Sequence, residues 1–256
     1  ALAQIGFDSF EETQDGFKAY IPEAGFDENS LNDVLASFES LLSFSYIRNL
    51  IPQTNWNEVW ESNFSPLEIG NTCYVRATFH DANPAYPYEI IIDPKMAFGT
   101  GHHQTTASMM ELMLQHNFEH KKVLDMGCGT GILAILASKL GATELVAIDY
   151  DEVCVASTIE NAKLNDVSNI AALCGSKEAI PAQHFDIILA NINRNILLDQ
   201  LHAYADVLAH DGALFLSGFY EGTDLNMLIE KASKLGLAYA VRRTQNDWVA
   251  AKFVKA

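Results

Sequence analysis

Two short stretches of this sequence carry the backbone and side chains best suited to hold a ligand. In "VLDMGCGTG" (123–131), Asp125 is followed by three alternating glycines, Gly127, Gly129 and Gly131. The other stretch, "MAFGTGHHQTT" (96–106), combines two glycines, two adjacent histidines and three threonines. Glycine permits positive φ and lets a ligand approach the backbone closely. Both stretches could therefore grip a phosphate, bind a metal ion or close over another small molecule.

The glycine spacing argues against two common kinds of nucleotide site. A dinucleotide-binding turn has the pattern G-x-G-x-x-G, in which the third glycine lets the helix pack on the strand. Ile132 occupies that third position here. A phosphate-binding loop of the G-x-x-x-x-G-K-[ST] type needs a lysine, which neither stretch supplies. The turn therefore suits a ligand without phosphate, while a nicotinamide-dependent oxidoreductase and a non-catalytic binding module remain alternatives from other classes.

The adjacent histidines, His102 and His103, invite a metal interpretation that the rest of the sequence does not support. Adjacent side chains seldom point at one ion, and no carboxylate or third ligand stands at a recognisable spacing. The four cysteines are far apart and form no C-x-x-C pair, which indicates reduced thiols and not a disulfide framework or a zinc site. We therefore predict no metal site, with structural or substrate-facing roles for both histidines.

The elements that must position these residues are visible from about residue 121 onward. Apolar runs typical of buried strands fall at 121–127, 143–149, 170–175, 185–192, 212–219, 237–244 and 248–255. Helical patterns lie between them at 132–142, 151–165, 196–209 and 221–235, with Asp151 placed to cap the second helix. This alternation predicts an α/β fold with a doubly wound, mostly parallel sheet. The last two runs should pair antiparallel, which predicts one reversed strand at the sheet edge.

The first 50 residues follow a different pattern. Two strand-like runs flank a predicted turn at Gln14-Asp15-Gly16, followed by a helix near Ser30–Leu41 and a strand over 42–49. This order is most of a ferredoxin-like split βαβ domain. The opening "ALAQIGF" reads as the end of a missing first helix, so we expect the chain to start partway through this small α+β domain. The predicted domains are 1–50 (small α+β), 51–66 (linker with a helix carrying Trp56 and Trp60) and 67–256 (α/β).

The glycine turn and its flanking acids resemble the S-adenosylmethionine site of Rossmann-like methyltransferases. Asp125 precedes the G-x-G-x-G pattern, and Asp149 ends the next predicted strand. The resemblance implies that Asp149 accepts hydrogen bonds from the two ribose hydroxyls. It also places the backbone of Gly127 to Gly131 against the methionine and ribose, and Asp125 near the amino group. An acidic site suits a cationic sulfonium. The alternative for each aspartate is a helix cap or a solvated turn.

A broader resemblance covers nearly the whole chain. The runs "DPKMAFGTGHHQTT", "LDMGCGTGILAI", "AIDYD", "ILANIN" and "WNEVWESNF" are similar to the bacterial methyltransferases of large-subunit ribosomal protein L11. This resemblance implies that stretch 96–106 folds over the cofactor, with Phe98 and Gly99 close to it and Thr105 supplying a hydrogen bond. It further implies methyl transfer to amines of ribosomal protein L11, with lysine side chains and the N-terminal amine as acceptors. The small domain would grip that protein.

Asn191 lies in "LANIN" (189–193), at the C-terminal end of the fourth predicted strand, where ligands bind in open α/β sheets. Its side-chain carbonyl can accept a hydrogen bond from an amine, and the family resemblance implies an active-site role beside the cofactor. The alternative is that Asn191 caps the following helix. No residue stands out as a general base. A methyltransferase acting on another protein, RNA or a small molecule is the alternative function.

Charge and hydropathy limit the partners of this chain. The net charge of -17 argues against a broad nucleic-acid surface, which needs clustered lysine and arginine. It favours a basic partner through electrostatic steering. No apolar run approaches the roughly 20 residues needed to span a bilayer, and the N-terminus lacks the pattern of an export signal. We therefore predict a cytoplasmic enzyme without membrane or direct nucleic-acid contacts.

Overall fold

The computed structural model describes residues 1–13, 16–38, 45–50, 65–93 and 97–256. The chain divides into two compact units, Ala1–Val59 and Trp60–Ala256. The predicted linker helix with its two tryptophans lies outside the described residues, so the predicted boundaries after residues 50 and 66 stay predictions. Within the part of the chain that is described, no helix combines the length and the apolar character needed to cross a membrane.

The first unit opens with a short 3₁₀ turn, Leu2–Ile5, and a β-hairpin. Strands β1 (Ser9–Thr13) and β2 (Gly16–Tyr20) pair antiparallel where the sequence predicts two strands. Gln14 and Asp15 of the predicted turn lie outside the described residues. The hairpin is largely exposed within the described part of this unit.

Helix α1 (Glu28–Ala36) follows a second 3₁₀ turn, Glu23–Gly25. It begins at Asp27 because the Asp27 carboxylate accepts hydrogen bonds from two backbone N–H groups of the first turn. The first helical residue after this cap, Glu28, is two residues before Ser30, where the sequence predicts the helix to begin. It ends at Ala36, and residues 39–41 of the predicted helix lie outside the described residues.

The predicted strand over 42–49 is wrong in its described part, because residues 45–50 form neither helix nor strand. Residues 42–44 lie outside the described residues. Side chains of this segment contact the helix and the loop before it: Tyr46 Oη donates to Asn32 Oδ1 at 3.5 Å, and the Arg48 guanidinium lies 4.5 Å from the Phe26 ring centroid. Ile47 is 86% exposed, so the apolar pattern that suggested a strand is not buried against a sheet.

The second unit begins with a small three-stranded sheet that the sequence did not predict. Strand β3 (Leu67–Ile69) pairs antiparallel with β4 (Cys73–Arg76), which pairs in parallel with β5 (Tyr88–Ile91). These strands are only three or four residues long. They lead into stretch 97–106, which approaches the glycine turn.

The main sheet has seven strands in the order β8-β7-β6-β9-β10-β12-β11. Their bounds are β6 (Lys122–Met126), β7 (Glu144–Asp149), β8 (Ile170–Cys174), β9 (Phe185–Asn191), β10 (Leu208–Tyr220), β11 (Leu237–Gln245) and β12 (Trp248–Lys255). Strands β6 to β10 pair with one another in parallel. The chain winds outward from β6 to β8 and then returns to β9 on the other side of β6. The switch point, where an open α/β sheet binds its ligands, therefore lies between β6 and β9.

The reversed strand of this sheet is not at the edge, where it was predicted, but one place inside it. Strand β12 pairs antiparallel with both β10 and β11, so β11 is the edge strand. Asn246 and Asp247 join the two strands with φ angles of 49° and 66°, as in a tight hairpin. A tight turn requires β11 and β12 to pair antiparallel, but it does not determine which of these two strands pairs with β10.

Helices cover both faces of the sheet. They are α2 (Gln104–Met113), α3 (Ile132–Lys139), α4 (Glu152–Leu164), α5 (Arg194–Val207) and α6 (Thr223–Ser233). One apolar layer joins α2 and α3 to the sheet, and another joins α5 and α6 to the opposite face. Central strands buried on both faces read as continuous apolar runs, which is why the sequence predicts these strands well.

Candidate active site

The turn after β6 requires its glycines. Gly127, Gly129 and Gly131 have φ angles of 72°, 55° and 79°, in the left-handed region. A Cβ on Gly129 would lie 2.2 Å from the carbonyl oxygen of Phe98, and a Cβ on Gly127 would lie 2.2 Å from Cγ2 of Ile192. Side chains at these positions would therefore push away the two segments that pack on the turn.

Stretch 97–106 meets the glycine turn through Phe98 and Gly99. The backbone N–H of Thr130 donates to the Phe98 carbonyl at 2.9 Å, and the Thr130 hydroxyl donates to the Gly99 carbonyl. The Phe98 ring is 56% exposed. The two candidate ligand-binding stretches are thus joined by one backbone hydrogen bond and by one from the Thr130 side chain.

Asp149 links the end of β7 to the same turn. Its Oδ2 accepts the Gly129 N–H at 3.0 Å, and its Oδ1 accepts the Asp151 N–H at 3.1 Å. The side chain is buried, so the solvated-turn alternative does not apply. Asp151, as predicted, caps α4 by accepting the Val153 N–H at 2.9 Å. The acid that ends β7 is therefore free of the capping role and points its carboxylate at the glycine backbone.

Asp125 is buried on β6, with two differently engaged oxygens. Its Oδ2 accepts the N–H of Ala134, in the first turn of α3, at 3.2 Å. The residue at the N-cap of α3, Gly131, has no side chain for this purpose, so Asp125 supplies the cap from the neighbouring strand. The alternative interpretation of Asp125 as a helix cap is therefore correct for one of its oxygens, Oδ2. Among the described residues the other oxygen, Oδ1, has no hydrogen-bond partner.

Burial raises the pKa of Asp125 to about 7, because removal from water disfavours the charged form. The hydrogen bond from Ala134 opposes this shift, and the negative charge of Asp149 adds to it. A buried carboxylate oxygen without a donor is costly unless a ligand supplies one. A cationic ligand with N–H donors fits this position, since it would satisfy the oxygen and favour the ionised form.

Asn191 ends β9 and is oriented by a side chain of α2. Its Nδ2 donates to Oγ1 of Thr106 at 3.2 Å, which leaves the side-chain carbonyl to accept a hydrogen bond from a ligand. Asn193, and not Asn191, caps α5, because its Oδ1 accepts the N–H groups of Asn195 and Ile196. The capping alternative for Asn191 is therefore excluded.

Two adjacent threonines at the start of α2 have different partners, and the second of them, Thr106, was not identified from the sequence. Thr105 is buried, and its Oγ1 lies 2.8 Å from Nδ1 of His103, the cap of α2. The hydroxyl expected to bind the cofactor is thus engaged in the cap. The next residue, Thr106, is the one that reaches Asn191. The adjacent threonines of stretch 96–106 are visible in the sequence as two candidate hydroxyl groups. Only the fold shows that one hydroxyl faces His103 and the other faces Asn191.

The two adjacent histidines diverge. His102 lies 3.2 Å through Nδ1 from the Thr100 hydroxyl and 2.9 Å through Nε2 from the Ser65 carbonyl, whereas His103 faces Thr105. Over the described residues, no group of three histidine, cysteine, aspartate or glutamate side chains could hold a metal ion. The pair is therefore built into the loop and the helix cap.

The predicted site residues meet at one place, the carboxyl edge of β6, β7 and β9. Gly129 contacts both Phe98 and Asp149, and Gly127 contacts Ile192, the residue after Asn191. This is the switch point of the sheet. The site offers glycine backbone, two buried carboxylates and an amide carbonyl. That set fits a cationic, non-phosphorylated nucleoside such as S-adenosylmethionine.

This chain is similar in sequence to known proteins along most of its length. A model of the ribosomal protein L11 methyltransferase (PrmA) family matches residues 6–256. The ribosomal protein L11 methyltransferase of Porphyromonas gingivalis is 47% identical over 258 residues, covering 98% of this chain and 88% of that protein. The protein of the same name from Phocaeicola vulgatus is 45% identical over 260 residues, covering 99% of this chain and 92% of that protein.

Solved structures agree with the sequence relatives. The crystal structure of ribosomal protein L11 methylase from Lactobacillus delbrueckii subsp. bulgaricus is 28% identical, with a TM-score of 0.70, and covers 75% of this chain and 100% of that chain. A methyltransferase from Pyrococcus furiosus, 18% identical with a TM-score of 0.51, covers 56% of this chain and 79% of that chain and shares the fold alone. The family resemblance and the α/β fold class are thereby confirmed. The chain belongs to the ribosomal protein L11 methyltransferase family and is an S-adenosylmethionine-dependent methyltransferase.

Proposed function

We propose that this enzyme transfers methyl groups from S-adenosylmethionine to amine nitrogens of large-subunit ribosomal protein L11, on lysine side chains and the N-terminal amine. The names of relatives 45–47% identical support this substrate. The observation that carries the proposal is the orientation of Asn191, whose amide N–H is taken by Thr106 while its carbonyl is left for a donor beside the glycine turn. An amine is such a donor.

We assign the cofactor to the switch point of the main sheet. Asp149 would accept hydrogen bonds from the ribose hydroxyls, and the backbone of Gly127, Gly129 and Gly131 would line the methionine and ribose. The unpartnered Oδ1 of Asp125 would receive the amino group. Phe98 and Gly99 would lie close to the ligand, and Thr105 would supply it with a hydrogen bond. When bound, S-adenosylmethionine supplies an electrophilic methyl group on a sulfonium.

The protein's own contribution is alignment and desolvation of the acceptor amine. A model lysine titrates near ~10.4, so the acceptor must lose a proton before it can attack. Asn191 Oδ1 would accept one of the remaining N–H groups and thereby turn the lone pair toward the methyl group. The hydrogen bond from Asn191 to Thr106 keeps the amide in that orientation.

The overall charge supports a basic protein as the substrate. A net charge of -17 attracts lysine-rich surfaces over distances limited by the Debye length. In this proposal residues 1–50 recognise the substrate, 51–66 link the domains, and 67–256 perform the transfer in the cytoplasm. A chain deleted through Pro66 should then lose most of its rate on ribosomal protein L11. A truncated chain working at the full rate would contradict the recognition role.

The direct test is intact-mass spectrometry of purified ribosomal protein L11 after incubation with enzyme and S-adenosylmethionine. We expect mass increments of whole methyl groups, located on lysine and N-terminal residues by fragmentation. Parallel incubations with RNA and with a metabolite pool, using labelled cofactor, test the alternative substrates. Label in RNA or in a metabolite, with ribosomal protein L11 unchanged, would contradict the proposal. Thermal stabilisation by NAD and not by S-adenosylmethionine would contradict the cofactor assignment.

A further inference from the structure

Four aromatic rings from three elements form a continuous row beside the site. The Phe98 ring centroid lies 5.5 Å from that of His103, which lies 5.0 Å from Trp248 at a near-perpendicular angle of 70°. Trp248 in turn lies 4.1 Å from Tyr220, its cross-strand partner on β10. We call these four residues the aromatic row. Phe98 has been proposed to lie close to the ligand and His103 caps α2, whereas Trp248 and Tyr220 have no role in the site described so far.

The aromatic row follows the two elements that border Asn191. At one side, His103 caps α2, whose Thr106 accepts the hydrogen bond from Asn191. At the other side, Ser217 on β10 pairs with Asn191 in the sheet, and Tyr220 lies three residues further along the same strand. The row therefore extends from the loop that packs on the glycine turn to the end of β10, and the elements at its two ends each contact Asn191.

The aromatic row has ring surface that is open to solvent, and its rings and a neighbouring carboxylate attract cations. Phe98 is 56% exposed and Tyr220 is 50% exposed, so ring surface is open to a ligand. Aromatic faces attract ammonium groups through their quadrupole, most strongly for tryptophan. Asp247, next to Trp248 in the sequence, is exposed and adds negative charge.

The nearby cations are already neutralised. Arg242 pairs with Glu221 at 2.7 Å, and Arg194 pairs with Asp224 at 2.6 Å. They therefore oppose an incoming ammonium less than free cations would. The combination of open rings, an exposed carboxylate and paired arginines favours a ligand that is cationic and partly apolar, which describes a lysine side chain.

We propose that the aromatic row binds the lysine side chain that is being methylated, and holds its ammonium and methylammonium forms by cation–π contact. This inference rests on the proposed function. Methylation keeps the charge of the nitrogen while replacing its N–H donors. Asn191 therefore loses hydrogen bonds as methyl groups accumulate, whereas the attraction to the rings persists. The row supplies a contact that does not depend on how many methyl groups the lysine already carries.

Binding of acetylated, amidated trimethyl-lysine to the full chain, saturated with S-adenosylhomocysteine, tests the proposal. The control ligand is the neutral analogue in which carbon replaces the quaternary nitrogen. The indole N–H resonance of Trp248, assigned by its loss in Trp248→Phe, reports the contact. We expect both ligands to move this resonance, with affinity about three- to ten-fold higher for the cation. Equal affinities, or a Trp248 resonance that the cation leaves unmoved, would overturn the proposal.

Variants at Tyr220 separate ring chemistry from folding. Tyr220→Phe keeps a ring and should keep the preference for the cation, whereas Tyr220→Leu keeps apolar area and should reduce it. Loss of the preference in both variants would contradict a role for the ring. Mass spectrometry of ribosomal protein L11 with the same wild-type preparation tests the proposed function separately. Methylation of that protein by an enzyme without a cation preference would overturn the aromatic row alone.

Discussion

The turn after β6 and the turn after β9 meet at the same switch point, but they are held in place by different means. The first is backbone packed on backbone: Gly129 leaves no room for a Cβ beneath the Phe98 carbonyl. The second is organised by side chains, with Asn191 bonded to Thr106 and Asn193 capping α5. The first turn should therefore be sensitive to any added atom, and the second to the loss of a particular group.

This contrast predicts that variants of the two turns differ in their effects on cofactor binding and on methyl transfer. An altered β6 turn should damage the proposed cofactor site and the fold together, because in our assignment the same backbone atoms serve both. An altered β9 turn should affect activity and stability separately, since the amide proposed to face the acceptor and the amide that caps α5 belong to different residues, Asn191 and Asn193. The variants below test that separation, beginning with the largest expected effect on activity.

Gly129→Ala should abolish cofactor binding and activity. Its Cβ would lie 2.2 Å from the Phe98 carbonyl oxygen, at a φ of 55° that disfavours alanine, and such overpacking and backbone strain cost roughly 3 kcal/mol of stability. Calorimetric titration with S-adenosylmethionine and thermal unfolding measure the two effects. Gly236→Ala is the matched control, since Gly236 also has positive φ (75°) but nothing within 4 Å of a new Cβ. Equal losses in both variants would show that φ strain alone, and not the contact with Phe98, is responsible.

Asn191→Ala should lower kcat about 100-fold while cofactor affinity and melting temperature stay near wild-type values, because misorientation of a reacting group costs about this much. Asn193→Ala should do the reverse: loss of the α5 cap costs about 1 kcal/mol of stability, with kcat largely kept. Steady-state kinetics on ribosomal protein L11 and denaturant unfolding measure the pair. If Asn193→Ala proves the more damaging to kcat, the roles assigned to the two asparagines are wrong.

The sequence predicts the β6 side of this comparison better than the β9 side. Buried parallel strands and a glycine turn leave a local signature, so β6, Gly129 and Asp149 could be placed from the pattern alone. Asn191 and Asn193 are two residues apart with the same side chain, and nothing local decides which one caps α5. The hydrogen bond from Asn191 to Thr106 spans 85 residues. Only the fold could reveal it.

Elsewhere the sequence fails for equally physical reasons. Strands β3, β4 and β5 have three or four residues each, too few to establish a period. The final hairpin fixes antiparallel pairing of β11 and β12 but not which of them inserts beside β10. In the first unit, the apolar residues of 45–50 imitate a strand, although Ile47 is largely exposed.

Asp125→Asn should flatten the pH dependence of stability. Burial raises the pKa of Asp125 from 3.8 to about 7, so the folded state holds one proton more than the unfolded state between these values. Stability from this group is complete below the lower value and is lost as pH rises to the upper one, by at most about 1.4 kcal/mol per pH unit. The difference between wild type and variant, measured by denaturant unfolding from pH 4 to pH 8, isolates this contribution from those of other carboxylates. A constant difference across that range would mean that Asp125 titrates normally.

Thr106→Val should have the smallest effect, a fall in kcat of about 2- to 10-fold, the size of one net hydrogen bond. Valine keeps the shape of a side chain that is only 1% exposed but leaves the Asn191 amide without its acceptor, so the carbonyl is less firmly turned toward the amine. Thr106→Ser restores the hydroxyl and should recover most of the rate. KM for ribosomal protein L11 should change little, because the change affects orientation and not capture. A rise in KM at constant kcat would instead place Thr106 in substrate binding and remove the link between α2 and the chemistry of β9.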